Sequence, residues 1–127
     1  MTGNEYQELA MRTNDGGANA RLRSKMNIFN ESHQTDFGGV LNGCLGLAGE
    51  CGEFLDMVKK WIFHEKVFDR EHAKKELGDV MWYVAMICKS FGWELDEILQ
   101  MNVDKLKNRY PDGFNTDLSN HRKEGDL

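Results

Sequence analysis

Residues 37–64 read FGGVLNGCLGLAGECGEFLDMVKKWIFH. Apolar residues recur there every three or four positions without a proline, which indicates one face of an α-helix. The preceding pair Thr35-Asp36 offers an N-cap. Glycines follow the same spacing, at Gly39, Gly43, Gly46, Gly49 and Gly52. A helical glycine costs about 0.5–1 kcal/mol relative to alanine, so this arrangement indicates close approach of another helix or of a ligand. A glycine-rich loop that ends near residue 49 is the alternative.

Two further helices are expected after this segment. Asp69 is suited to cap a helix over residues 70–91, and Gly92 is placed to end it in the left-handed conformation. Residues 94–110 carry an apolar stripe at helical spacing and stop before Pro111, which is the only proline of the chain. Period-2 alternation is absent from the sequence. The pattern therefore predicts an all-α domain, an antiparallel bundle of about four main helices.

The length of 127 residues suits a single domain. Residues 1–36 are expected to form a short helix over 5–12, capped by Asn4, and then a mobile connector. Residues 37–110 form the helical core that carries the chemistry, and residues 111–127 form a polar tail that packs by few contacts.

Composition excludes several classes of protein. A formal net charge of −5, from 16 basic and 21 acidic residues, argues against a protein that coats nucleic acid. The chain has no apolar run long enough to span a membrane and no signal-peptide pattern at its start. Three cysteines without a framework spacing indicate free thiols in a reducing cytoplasm.

Two acidic pairs border the apolar faces of neighbouring helices. On a helical wheel, Glu50 and Glu53 lie at the edge of the apolar stripe of their helix. Glu76 and Asp79 occupy the same positions beside the apolar stripe of the next helix. Lys60 follows Glu53 by two turns on the same face. Carboxylates that converge in a partly desolvated groove need a counterion. Oxygen ligands favour a hard cation, Mg²⁺ or alternatively Mn²⁺. An ordinary solvated acidic face is the other interpretation.

The last main helix carries an amide and two basic groups on one face. Asn102 interrupts the apolar stripe, and Lys105 and Arg109 follow it at positions i+3 and i+7. These groups are the types that hold phosphate or carboxylate ligands. A solvated basic face that pairs with Asp104 or Asp112 is the alternative.

Four motifs occur in the core: GLAGECGE at 46–53, ELGDVMWY at 76–83, NVDKL at 102–106 and RYPDGF at 109–114, together with Lys59-Lys60. They resemble the MazG-like branch of the all-α nucleoside triphosphate pyrophosphohydrolases over about residues 40–115. The E-x-x-E and E-x-x-D elements are separated by 22 residues. The resemblance implies Mg²⁺-dependent cleavage of a nucleoside triphosphate between its α- and β-phosphates, which gives a monophosphate and pyrophosphate.

The resemblance also implies residue roles and an assembly. The metal ligands would be Glu50, Glu53, Glu76 and Asp79, and the phosphate contacts would be Lys60, Lys105 and Arg109. Asn102 and Tyr83 would help to place the nucleotide. The candidate base contacts would be Asn27, Phe29, His33 and Gln34. Proteins of this superfamily are similar in forming homodimers or dimers of dimers, so we expect a second copy to complete the bundle.

One carboxylate can also serve as the general base. Glu50 or Glu53 could accept a proton from the attacking water, and we favour Glu53 because it lies nearer the solvent edge of its stripe. Three other functions remain open. They are a dUTP- or dCTP-selective pyrophosphatase, a non-catalytic helical interaction module, and a ferritin-like di-metal bundle, which lacks its Glu-x-x-His pairs here.

Overall fold

The computed structural model describes residues 1–32 and 35–127, apart from the side chains of residues 29–32. Its helices are α1 (Gly3–Met11), α2 (Ala18–Ser32), α3 (Phe37–Phe63), α4 (Arg70–Phe91), α5 (Leu95–Arg109) and α6 (Thr116–Asn120). Neither of the two described ranges contains a β-strand. The all-α fold class predicted from the sequence is confirmed.

The two longest helices begin and end where their capping residues predict. The Asp36 carboxylate accepts a hydrogen bond of 3.0 Å from the Gly39 amide at the start of α3. Asp69 accepts one of 3.0 Å from the His72 amide at the start of α4. Gly92 ends α4 with a φ of 75°, which is the left-handed C-cap conformation. The predicted bounds of both helices are therefore confirmed.

Helices α3 and α4 pack as an antiparallel hairpin whose closest approach lies along the glycines of α3. A Cβ atom added at Gly43 would lie 2.6 Å from Ile87 Cγ1 and 3.4 Å from the Ile87 amide nitrogen. One turn later, a Cβ at Gly46 would overlap the ring of Tyr83. Contacts thus advance along α3 as they recede along α4, which is antiparallel packing. The glycine spacing lets two helix backbones approach closely.

No described helix of the same chain approaches the last two glycines of this series, so close approach of a ligand or of a second copy stays a prediction there. A Cβ atom at Gly49 or Gly52 would meet no described atom within 4 Å. These two glycines lie on a face of α3 that does not contact α4. A single glycine-lined face cannot include every third residue over four turns, because a spacing of three drifts around a helix of 3.6 residues per turn.

The N-terminal region is more helical than the sequence pattern indicates. Helix α1 begins at Gly3 and is capped by Thr2 instead of Asn4. The Thr2 hydroxyl accepts from the Glu5 amide at 3.1 Å, and the Glu5 carboxylate accepts from the Thr2 amide at 2.7 Å. This capping box satisfies two amides that Asn4 would leave open.

The predicted connector is also wrong in extent, because most of it is α2. Only the turn between Arg12 and Gly17 interrupts the first two helices, and Gly16 adopts a φ of 75° there. Between this turn and Ser32 the chain contains no proline, and its Ala, Arg, Leu, Lys and Met residues favour a helix. Helix α2 packs against α3.

The C-terminal tail has more structure than the predicted polar extension. It contains α6, whose N-cap Asn115 accepts hydrogen bonds from the amides of Asp117 and Leu118. It then returns to the end of α5, where Asp126 forms an ion pair with Arg109. The two side chains are only 7% and 9% exposed. The tail therefore closes against α5 at a specific point.

Few side chains are buried within the described part of the chain. The buried residues are Gly43, Ala73, Cys88 and Ser90, and none of them is large. Apolar side chains of the main helices are instead open to solvent; Leu45 is 67% exposed and Met101 is 62% exposed. No helix of the described ranges is long and apolar enough to cross a membrane.

Candidate metal centre

The α3–α4 hairpin brings carboxylates of both helices to one place. The packing register that pairs Gly46 with Tyr83 continues one turn further to Glu50, which faces the next turn of α4. One carboxylate oxygen from each of Glu50, Glu76 and Asp79 lies within 4.8 Å of the others. Glu50 and Glu76 are half-buried, and Asp79 is exposed. Three of the predicted metal ligands therefore form a cluster at the edge of the hairpin.

The unneutralised charge of this cluster acts on Glu50. Burial raises the pKa of the Glu50 carboxyl above its ordinary value, and its hydrogen bond to Glu76 raises it further. The negative charges of Asp79 and Glu53 act in the same direction. Two carboxylates can be hydrogen-bonded to each other only if one carries a proton. A divalent cation would replace that proton, so the donor set and its charge fit a hard metal ion.

This raised pKa predicts a pH dependence of stability in the metal-free protein. Because the folded state holds the Glu50 proton more tightly than the unfolded state, the contribution of this carboxyl to stability is fully present below about pH 4.5, its ordinary pKa. It falls as the pH rises through the raised pKa. Glu50→Gln lacks this titration, so the Tm of the parent should decline relative to that variant between about pH 4.5 and 7.5 in EDTA. A Tm difference that stays constant across this range would contradict the prediction.

Glu53 lies outside the three-carboxylate cluster, one turn further along α3. It is exposed and lines a hollow of about 240 Å³ together with Lys60 and Glu76. Lys60 forms an ion pair of 2.6 Å with Asp56, and this hydrogen bond raises the pKa of the lysine. The hollow also has an apolar side, to which Phe68 contributes. It thus joins the acidic cluster to a cation and an apolar surface.

Tyr83 lies beside the cluster on the opposite side. Its half-buried ring packs over Gly46 and meets the Trp82 ring edge to face, with centroids 5.0 Å apart. Both aromatic side chains line a second hollow, of about 330 Å³, with Glu50 and Asp79. The structure therefore brings this predicted nucleotide contact next to the carboxylates.

The predicted residues of α5 are not brought to the cluster within one chain. Asn102 and Lys105 are exposed, and no α5 residue is among the described residues that line either hollow. Arg109 donates two hydrogen bonds of 2.8 Å to Asp126 and one of 3.0 Å to the Leu127 carbonyl. The partner of Arg109 is therefore Asp126, and neither of the nearby aspartates considered from the sequence.

Of the four candidate base contacts, the side chain of Asn27 is among the described ones. Asn27 lies on α2 and is exposed. His33, Gln34 and the side chain of Phe29 lie outside the described residues.

His72 is a neighbour of the cluster that is not among the site residues predicted from the sequence. Its Nε2 atom lies 2.7 Å from Glu76 Oε1. The only sequence feature that points to this contact is the i, i+4 spacing of the two residues on one helix. Such spacings are common, and the contact becomes informative only once Glu76 is known to face Glu50.

Comparison with known proteins identifies the helical core. The family model described as MazG nucleotide pyrophosphohydrolase domain matches residues 40–114. The chain is similar to the Gene 37 protein of Mycobacterium phage L5, with 40% identity over 70 residues. This match covers 51% of the chain and 60% of the phage protein's length. No solved structure matches the chain.

Proposed function

Because the chain belongs to the MazG nucleotide pyrophosphohydrolase family, we propose that it hydrolyses nucleoside triphosphates to nucleoside monophosphate and pyrophosphate in a Mg²⁺-dependent reaction. The observation that carries this proposal is the cluster of Glu50, Glu76 and Asp79, whose oxygens lie within 4.8 Å of one another. We further propose that residues 37–110 form the catalytic core. The physiological role of the protein would be to clear nucleotides from a cytoplasmic pool. The free thiols of Cys44, Cys51 and Cys88 suit that compartment.

The ligands of the metal ion would be the three clustered carboxylates, joined by Glu53. All four donors are oxygens, a set that suits Mg²⁺ and also accepts Mn²⁺. The raised pKa of Glu50 supports this role, because it reflects burial and then the neighbouring carboxylates, whose charge a cation would offset. When bound, such an ion neutralises charge on the non-bridging phosphate oxygens of the substrate.

Glu53 would act as the general base. It is exposed at the rim of the larger hollow, whereas Glu50 is half-buried and hydrogen-bonded to Glu76. A carboxylate with access to water can take the proton of an attacking water molecule, whereas burial and the neighbouring carboxylates raise the pKa of Glu50. Lys60 lines the same hollow and would neutralise part of the polyphosphate charge.

A second copy of the chain would complete the site. Asn102, Lys105 and Arg109 line neither hollow among the described residues of their own chain. Large apolar side chains on α3, α4 and α5 are exposed, in a chain that buries little beyond small residues. Such extensive apolar exposure is typical of an interface surface. A homodimer, or a dimer of dimers, would bury these faces and allow α5 of one subunit to supply phosphate contacts to its partner.

The test is a panel of ribo- and deoxynucleoside triphosphates assayed for pyrophosphate release. We expect release with Mg²⁺ or Mn²⁺, nucleoside monophosphate as the second product, and none in EDTA. Release from dUTP or dCTP alone would assign the narrower activity of a selective pyrophosphatase. A folded sample that releases no pyrophosphate from any nucleotide in the presence of metal would contradict the proposal and favour the helical interaction module.

A further inference from the structure

His72 contacts the carboxylate cluster from outside. It lies one turn before Glu76 on α4, and its Nε2 atom is 2.7 Å from Glu76 Oε1. The backbone at His72 is fixed as well, because its amide donates to the capping carboxylate of Asp69. The imidazole therefore starts from an anchored position in the first turn of the helix. Its side chain is 56% exposed, so it contributes little to the packing of the hairpin.

Glu76 joins His72 to the acidic cluster. Its side chain is only 16% exposed, and its carboxylate lies between the imidazole of His72 and the carboxyl group of Glu50. The histidine contacts the oxygen Oε1 and so restrains the orientation of this carboxylate. Glutamate has three rotatable side-chain bonds, and ordering such a side chain on metal binding has an entropic cost. A hydrogen bond that orders it beforehand reduces that cost.

We propose that His72 is a positioning residue that holds the Glu76 carboxylate in the orientation in which it binds a divalent cation. This inference rests on the proposed function, since it concerns the same metal centre. A neutral imidazole with its proton on Nε2 and an imidazolium both donate this hydrogen bond. Groups that hydrogen-bond to metal ligands typically change metal affinity by about 10–100-fold when they are removed.

The experiment measures Mn²⁺ binding to the metal-free protein without nucleotide, by electron paramagnetic resonance titration of free Mn²⁺. His72→Leu removes the donor and should weaken binding about tenfold. His72→Gln keeps an amide N–H at similar reach and should stay within about threefold of the parent. The control is His121→Leu, at an exposed histidine at the end of α6, which should bind as the parent does. Circular dichroism and Tm establish that each variant is folded.

Turnover supplies a second readout for the same variants. If His72 acts through Glu76, His72→Leu should need about tenfold more Mg²⁺ for half-maximal activity and recover most of the parental kcat at saturating metal. If the parent binds Mn²⁺ and His72→Leu binds it with the same affinity, the role of His72 would be overturned, whereas the proposed metal centre would stand. Equal losses in the Leu and Gln variants would overturn the hydrogen-bond role. A parent that binds no Mn²⁺ would overturn the proposed metal centre and this inference with it.

Discussion

Glu76→Gln is expected to lower metal-dependent pyrophosphate release by roughly 10³-fold, which corresponds to about 4 kcal/mol of transition-state stabilisation. The amide keeps the size of the side chain and can still accept a hydrogen bond from His72. The substitution removes one negative charge from the cluster that Glu76 forms with Glu50 and Asp79. The measurement is kcat/KM at saturating Mg²⁺ for the nucleotide that the panel identifies as the best substrate.

Glu71→Gln is the matched control for this variant. Glu71 lies on the same helix, but it is exposed and pairs with Lys74, so its loss should change kcat/KM less than about twofold. Glu53→Gln, measured beside them, tests the general base; activity within about tenfold of the parent would remove that role. If Glu76→Gln retained activity comparable to Glu71→Gln, the carboxylate cluster would not be the metal centre.

Gly43→Leu is expected to destabilise the protein by about 2–3 kcal/mol, because overpacking of a tight contact outweighs the gain in helix propensity. The added Cβ would lie 2.6 Å from Ile87 Cγ1, and the α4 backbone lies behind it, with Tyr83 O at 3.5 Å. For a domain of this size the Tm should fall by roughly 10 °C. Thermal unfolding followed by circular dichroism measures the change.

Gly49→Leu provides the comparison on the same helix. No described atom lies within 4 Å of a Cβ at that position, so the substitution should raise helix propensity by about 0.8 kcal/mol without a clash inside the chain. Equal losses of Tm in the two variants would contradict the assignment of close approach to Gly43. The expectation reverses the one drawn from glycine spacing alone, which gave all five positions the same role.

The hairpin could be predicted because its determinants are local. Asp36 and Asp69 begin helices through short-range hydrogen bonds, and Gly92 ends one through its backbone conformation. Both effects depend on the residue type alone. Helix α2 lacked such marks. The residue before it, Gly17, has no side chain to cap it, and the composition of the helix is polar, so periodicity could not separate it from a connector.

The carboxylate cluster could be predicted for a related reason. Once two helices are antiparallel neighbours, their periodicity fixes which residues face each other, so Glu50 and Glu76 follow from the pattern. The pairing of Arg109 with Asp126 does not follow from it. The two residues are 17 positions apart, and the path of the tail between them depends on turns that have no period. Long-range contacts of irregular segments are therefore the part that the sequence left open.

The glycines of α3 also bear on how the protein folds. Six glycines in a helix of 27 residues weaken it by roughly 5 kcal/mol relative to alanine, so α3 alone should be largely unfolded in water. Its helicity then depends on docking to α4, which makes the hairpin one cooperative unit in the sense of local unfolding. Glu50 and Glu76 come together only in that docked state. An ion that binds both carboxylates would shift the folding equilibrium toward the hairpin. Metal binding and formation of α3 would therefore be thermodynamically coupled.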